Sequence, residues 1–376
     1  MLRKPRTLTP GPTQLLPEAA AAQLRAGMHH RSPEFAAVLG RVQQGLKGFF
    51  RTESPVAILT SSGTGGLEAC VAGLVRPGDT VICVNGGKFG KRWADINRAW
   101  DANVVEITVE PGKSARLADV EAALQAYPQA RALYVQGCES STGAVHPVRA
   151  MAELTRGRET LICVDAITWL GAHEVATDEW GLDLVVCASQ KALAMPPGLA
   201  FVSASEKARR ALVGKRRYYF DLARELDAQA QGQMAFTPAT SLVCAAEAAL
   251  AWVHSVGLDD LIQNARVLAA MTRAAAKALQ LPLFAEAPAD SVTALSVPDA
   301  AKVQAFLYEH SGATVAGGQD ELRGKLLRLS HLGYVDYMDI IALIGALEQA
   351  LARNGAKHEP GTGLQAAQQV YAQFVA

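Results

Sequence analysis

"LDLVVCASQKALAMPPG", residues 182–198, is the stretch on which the reading of this chain turns. The almost unbroken apolar run LDLVVCAS leads into Gln190 and Lys191, and a second apolar patch follows, closed by Pro196, Pro197 and Gly198. A short apolar run bounded by Pro and Gly is the pattern of a strand buried on both faces. Lysine normally keeps its ammonium in water among polar neighbours. Here the stem is carried to the end of a buried strand, where the charged form is disfavoured and the amine turns nucleophilic, as carbonyl-condensing lysines require. Taken alone, a snorkelling surface lysine is the commoner case. The rest of the chain has to decide.

Working outward, the same strand pattern recurs from about residue 55: PVAILT (55–60), TVICVN (80–85), NVVEITV (103–109), RALYVQG (131–137) and TLICVDA (160–166). Helix-like segments lie between several of them, such as LEACVAGLV, LADVEAALQAYP and VRAMAELTRG. Continuous apolar strands alternating with helices predict an α/β fold with a mostly parallel sheet covered on both faces. After about residue 205 the rhythm changes. Residues 209–229 are polar and partly helical, and 241–280 read as two long helices. A smaller α+β unit follows: strand SVTALSVP, helix DAAKVQAFLYEHSG, strand KLLRLSHLG and helix YMDIIALIGALEQALARNG. The end, from Ala356, begins like a linker and closes amphipathic. The expected organisation is an N-terminal segment (1–20), a large domain (21–255), a small C-terminal domain (256–355) and a tail (356–376).

Half of the 376 residues are hydrophobic, enough for a sizeable core in one large and one smaller domain. Lys plus Arg and Asp plus Glu number 36 each, so no electrostatic attraction to nucleic acid or anionic membrane is expected. The six cysteines are scattered, with no CxxC pair, and four of them (Cys83, Cys138, Cys163, Cys187) lie in or beside strand-like runs as small core residues. That usage suits a reducing compartment. The start lacks a long apolar segment, and no run approaches the roughly 20 residues of a spanning helix. A soluble cytoplasmic protein is expected. His29 and His30 are neighbours that point apart in an extended chain, with no further ligand cluster, so no metal site is expected.

Open parallel sheets bind ligands at the carboxyl ends of their strands, and four such junctions stand out. In TSSGTGGLEA, hydroxyls and backbone N–H groups gather at a helix start, either as a flexible turn or as an anion cradle. It fits neither the GxGxxG fingerprint nor the P-loop, so a nucleotide pyrophosphate is not expected. Asp165 closes the strand of ICVDAIT, as a turn-forming aspartate or as a buried carboxylate in need of a partner. Lys191 is the third. In GGKFGKRW, Phe89 either plugs the core or stacks on a flat ligand. An anion cradle, an aromatic platform, a carboxylate and a lysine match one molecule with a phosphate, a flat ring, a basic ring nitrogen and an aldehyde: pyridoxal 5′-phosphate.

With these residues in place, the chain resembles class V aminotransferases of PLP fold type I, the group of alanine–glyoxylate and serine–glyoxylate (serine–pyruvate) aminotransferases. The likeness runs through LTPGPTQLLPE, SSGTGGLEA, GGKFGKRW, ESSTGAVHP, the block from Cys163 to Ser205 and LLRLSHLG. It implies a large domain with a seven-stranded-type sheet and a smaller α+β domain. It also implies that Lys191 anchors the cofactor covalently and shuttles a proton, while Asp165 pairs with the ring nitrogen. Thr64, Gly65 and Gln190 would bind the phosphate, Phe89 would stack on the ring, and Ser140 would bond near the ring hydroxyl. Arg328 would clamp the substrate α-carboxylate, and Thr237 would reach the phosphate of a neighbouring subunit in a homodimer. Trp169 would either shorten the pocket, if turned inward, or only pack beneath it, and no second arginine is identified beside Arg328, with Arg31, Arg92 and Arg323 left open.

The implied activity is amino transfer from alanine, serine or glycine to glyoxylate or pyruvate. Alternatives are a 2-aminoethylphosphonate aminotransferase, a cysteine desulfurase, an epimerase or lyase, and a non-catalytic scaffold subunit. A desulfurase needs a reactive cysteine on a mobile loop in the C-terminal half, where the only cysteine, Cys244, sits in an apolar helix.

Overall fold

The computed structural model describes residues 3–25, 27–212 and 217–375. Residues 213–216, within the polar stretch read as partly helical, lie outside them. Strand β1 (Arg6–Thr7) and helices α1 (Pro17–Ala22) and α2 (Pro33–Phe50) precede the main sheet. Then β2 (Val56–Thr60), α3 (Gly63–Leu74), β3 (Thr80–Asn85), α4 (Lys88–Ala99), β4 (Asn103–Thr108), α5 (Leu117–Ala126) and β5 (Ala132–Gln136) alternate. A short hairpin, β6 (Cys138–Glu139) and β7 (Ala144–Val145), leads to α6 (Val148–Thr155), β8 (Leu161–Asp165), β9 (Leu184–Ala188) and β10 (Leu199–Ala204).

The seven strands lie in the order β2-β10-β9-β8-β5-β3-β4. Only β10 runs against the others, pairing antiparallel with both β2 and β9. The mostly parallel sheet is therefore as expected, with one reversed strand supplied by LAFVSA. Alternate residues feed two separate cores. Ile58, Ile82, Val135, Val164 and Val185 pack with α2 and with α5 and α6 on one face. Ala57, Val81, Tyr134, Cys163 and Val186 pack with α3 and α4 on the other. This is the two-sided burial that the unbroken apolar runs require.

The remaining chain forms α7 (Glu206–Ala211), α8 (Leu222–Ala230) and the two long helices α9 (Thr240–Val256) and α10 (Leu258–Ala278). Next come β11 (Val292–Ser296), α11 (Ala300–Phe306), β12 (Ala313–Thr314), β13 (Ala316–Gly317), β14 (Leu326–Ser330), α12 (Tyr337–Arg353) and α13 (Thr362–Val375). Strands β11, β14 and β13 make a second sheet, antiparallel throughout. A third core joins α10, α11, α12 and this sheet. The stretch set apart as a tail belongs to that core. Tyr371 of α13 stacks on Tyr337, ring centroids 4.0 Å apart, and the Glu348 carboxylate accepts from the N–H groups of Gly361, Gly363 and Leu364. Its amphipathic pattern is local; of its partners, α12 is the preceding helix and α10 lies far back in the sequence.

No single helix among the described residues is long and apolar enough to cross a membrane. Helix polarity organises charge around the sheet. At the edge where helices end, Arg131 donates to the carbonyls of Leu74 and Ala211, and Arg158 to those of Leu124 and Leu154. Cations meet the negative ends of helix dipoles there. Helix starts face the opposite edge, where the candidate site lies.

Candidate active site

Asp165 is the last residue of β8, in register with Gln136 of β5 and Val186 of β9. Strand β9 ends at Ala188, so Lys191 stands three residues past the strand, in a turn, rather than on the strand end itself. The turn is closed by Ser189, whose hydroxyl donates to the Pro196 carbonyl (2.7 Å) and accepts from the Leu199 N–H (3.2 Å). It is closed from above by the N-terminal segment. Thr13 donates its amide to the Gln190 carbonyl (3.1 Å) and its hydroxyl to the Lys191 carbonyl (2.9 Å). The Lys191 Nζ donates to the Pro10 carbonyl at 2.6 Å. Between them Gly11 adopts φ +133°, and a Cβ there would lie 2.2 Å from Nζ, so no other residue fits. Lys191 is 8% exposed.

Burial lowers the Lys191 ammonium to about 8, partly opposed by the Asp165 charge. Burial likewise pushes Asp165 up to about 6. The Ile167 N–H, donating to Oδ1 at 2.9 Å, opposes this, and the Glu139 charge adds to it. Both groups are therefore poised to titrate near neutrality, the condition for proton transfer.

The cradle is the start of α3. Ser62, its N-cap residue, makes no side-chain cap. Among the described residues the first N–H groups of the helix, those of Gly63 and Thr64, have no hydrogen-bond partner. At Gly65 a Cβ would lie 2.7 Å from the Ser61 side chain, so this turn requires glycine. Gln190 has its Oε1 buried without a partner. Amide O and N exchange by rotation, so the group can present its NH2 to an anion. Free N–H groups at a positive helix end suit a phosphate. A buried carboxylate with a single N–H donor suits a protonated ring nitrogen, and a buried lysine lowered to about 8 suits an aldehyde. These residues fit pyridoxal 5′-phosphate.

Phe89 lies in the first turn of α4, half-buried, with the Arg92 guanidinium 4.9 Å from its ring centroid. Arg92 also donates to the Thr64 hydroxyl at 3.0 Å. Ser140 is buried, and its carbonyl accepts from Arg328 Nη1 at 2.7 Å. Arg328 is 6% exposed; its Nε donates to the Gly317 carbonyl at 2.9 Å, and neither bond uses Nη2. Thr237 is exposed, beside Phe236 and Pro238 at the mouth of a small cavity.

Of the three arginines left open, Arg92 comes to the cradle, and Arg31 and Arg323 stay exposed. Two further features are not marked in the sequence. The Pro10–Gly11 backbone covers Lys191. Glu139, beside Ser140, is wholly buried. Of the two placements open to Trp169, the structure shows the packed one: its ring lies against Gly137 and Trp180 in the core. Cys244 is buried in α9. Among the described residues no group of three or more His, Cys, Asp or Glu is placed to hold a metal.

A lysine past a strand end, a carboxylate on the neighbouring strand and free N–H groups at a helix start fit the PLP-dependent enzymes of fold type I. The chain belongs to the aminotransferase class V family, whose model matches residues 6–330. It is 36% identical to the soluble hydrogenase 42 kDa subunit of Anabaena cylindrica, over 97% of this chain and 98% of that protein. It is 29% identical to the serine–glyoxylate aminotransferase of Methylorubrum extorquens, over 95% and 94%. The crystal structure of an aspartate aminotransferase of subgroup IV from Thermus thermophilus superposes with a TM-score of 0.87 at 34% identity, covering 93% of this chain and 99% of that one.

Proposed function

We propose that this aminotransferase moves an amino group from a small amino acid (alanine, serine or glycine) to glyoxylate or pyruvate. Arg328 carries the reading. Its guanidinium is buried, held by two neutral carbonyls, and keeps Nη2 for a ligand. Burial lowers its pKa, so an anionic partner would relieve a real cost. A carboxylate is what the planar fork matches. Pyridoxal 5′-phosphate, when bound, supplies the carbonyl that takes the amine and the ring that accepts the electrons of the broken Cα–H bond. The chain's part is orientation and proton traffic. Arg328 holds the substrate carboxylate, Lys191 takes and returns the Cα proton, and Asp165 keeps the ring nitrogen protonated. The Pro10–Pro12 segment shields Lys191 from water.

Arg328→Ala should lower kcat/KM for every donor together by roughly a hundredfold or more, since it reads the group all donors share. A loss confined to one donor would sink the assignment. A second reading, aspartate as donor, is favoured by Arg92, the second arginine at the site, and by the likeness to a protein named as an aspartate aminotransferase. Arg92 is already engaged by Thr64 and Phe89, which supports the small-donor reading. Steady-state kcat/KM for alanine, serine, glycine, aspartate and glutamate against glyoxylate and pyruvate decides between them. Aspartate ahead of alanine and serine means that Arg92 serves the side-chain carboxylate.

The active unit in this reading is a homodimer, in which Thr237 of one subunit completes the phosphate site of the other. Its exposure within one chain supports this. Light scattering should report a dimer, and Thr237→Ala should weaken cofactor binding by about ten- to a hundredfold, roughly 1.5–3 kcal/mol for one hydrogen bond to an anion. A monomer with full activity contradicts it.

A further inference from the structure

Five hydrogen-bond donors converge on one carboxylate that the reaction itself does not use. Glu139 in β6 is 0% exposed. Its Oε2 accepts from the backbone N–H of Phe89 (3.0 Å), that of Gly90 (2.9 Å) and Gln136 Nε2 (3.3 Å). Its Oε1 accepts from the Ser141 N–H (3.1 Å) and the Ser141 hydroxyl. Ser141 Oγ in turn accepts from the Lys88 N–H at 3.2 Å. Helix α4 begins after Gly87, which has no side chain to cap it. Its first three N–H groups, those of residues 88, 89 and 90, are thus satisfied by a hairpin about fifty residues away in sequence. Negative charge at a helix start is favoured by the unpaired N–H groups and by the dipole.

The approach is close. A Cβ at Gly87 would lie 2.6 Å from Ser141 Oγ and 2.8 Å from Glu139 Cδ, and one at Gly90 would lie 2.6 Å from Gln136 Nε2. Gly87 leaves room for this side-chain cluster, and Gly90 for both Gln136 and the Val84 carbonyl, which is equally close at 2.6 Å. On one side the cluster fixes the turn that carries Phe89. On the other, the chain passes from Glu139 directly to Ser140, whose carbonyl holds Arg328.

We propose that Glu139 is a positioning residue: by capping α4 from outside the helix it locks the Phe89 platform and the Ser140 anchor of Arg328 into one unit. Cofactor plane and substrate carboxylate are then held in register by a group that touches neither. The inference rests on the roles given above to Phe89 and Arg328.

Glu139→Gln keeps the shape but sets an NH2 against N–H donors. In the holoenzyme, the visible circular dichroism of the bound cofactor should fall to half or less. With alanine and glyoxylate, kcat/KM should drop about ten- to a hundredfold, as displacements near 1 Å do. In the Glu139→Gln background, Phe89→Leu and Arg328→Lys should each cost several-fold less than in the wild type, because the register they depend on is already lost. Ser141→Ala, a milder change suited to the case where Glu139→Gln fails to fold, should move the dichroism and kcat/KM in the same direction by several-fold. A lowered Tm with unchanged dichroism, unchanged kcat/KM and additive double variants overturns the proposal and leaves Glu139 a structural cap. If Phe89→Leu and Arg328→Lys alone leave dichroism and kcat/KM untouched, the reading of those two residues fails, and the coupling falls with it.

Discussion

Lys191→Ala loses transamination by about ten-thousand-fold or more, the upper end of what a positioned acid–base group supplies, yet still takes cofactor into the cradle of Thr64, Gly65 and Gln190. Two arguments set the size. The amine is buried and lowered to about 8, so it is deprotonated readily enough to act both as nucleophile and as base. Its surroundings are also built for it alone, with the Pro10 carbonyl 2.6 Å from Nζ and Gly11 leaving no room for a larger group. Borohydride treatment of the wild-type holoenzyme, followed by peptide mapping, should find the reduced adduct on Lys191. An adduct on a different lysine, or retained turnover in Lys191→Ala, refutes the assignment.

Asp165→Asn separates function from stability, and the two effects have opposite signs. The carboxyl rises from 3.8 in the unfolded chain to about 6 in the folded one. A raised carboxyl contributes stability that is fully present below pH 3.8 and is lost as the pH climbs through 6. At pH 8 the cofactor-free wild type thus bears an ionised, buried Asp165 that the asparagine variant lacks. The variant should be more stable there by up to roughly 3 kcal/mol, at about 1.4 kcal/mol per pKa unit, and no more stable near pH 4. In the holoenzyme the order reverses. A neutral amide cannot hold the protonated ring nitrogen, and loss of a buried charge pair costs about 3–5 kcal/mol. Cofactor affinity or kcat should drop by roughly a hundredfold or more. Thermal melts at pH 4 and pH 8, with and without cofactor, check both halves. Turnover near that of the wild type means the ring-nitrogen partner lies elsewhere.

These expectations rest on residues of unequal legibility. Lys191 and Asp165 could be found because a buried parallel strand writes an unbroken apolar run, and a charged residue at its end (Asp165) or just past it (Lys191) stands out in one dimension. Thr64 and Gly65 stood out for a related reason, since glycines and hydroxyls must bunch where a strand turns into a helix start. Arg328 and Thr237 came only through the family likeness, as nothing in the spacing of LLRLSHLG or FTPAT marks a ligand.

The sequence by itself determined the alternation of strands and helices, the two-faced burial of the sheet and the chemistry at its carboxyl edge. All of these are local, carried by period, apolar run length and turn residues. Tertiary structure alone decided which distant segments close the site. Pro10 lies over Lys191, Glu139 caps the helix that bears Phe89, Arg92 comes to Thr64, Trp169 turns into the core and α13 packs on α10 and α12. Most of these are contacts between residues far apart in the chain, made because buried polar groups must find partners and apolar faces must find cover. A linear pattern records that such a need exists, and only the packed chain shows which residue meets it.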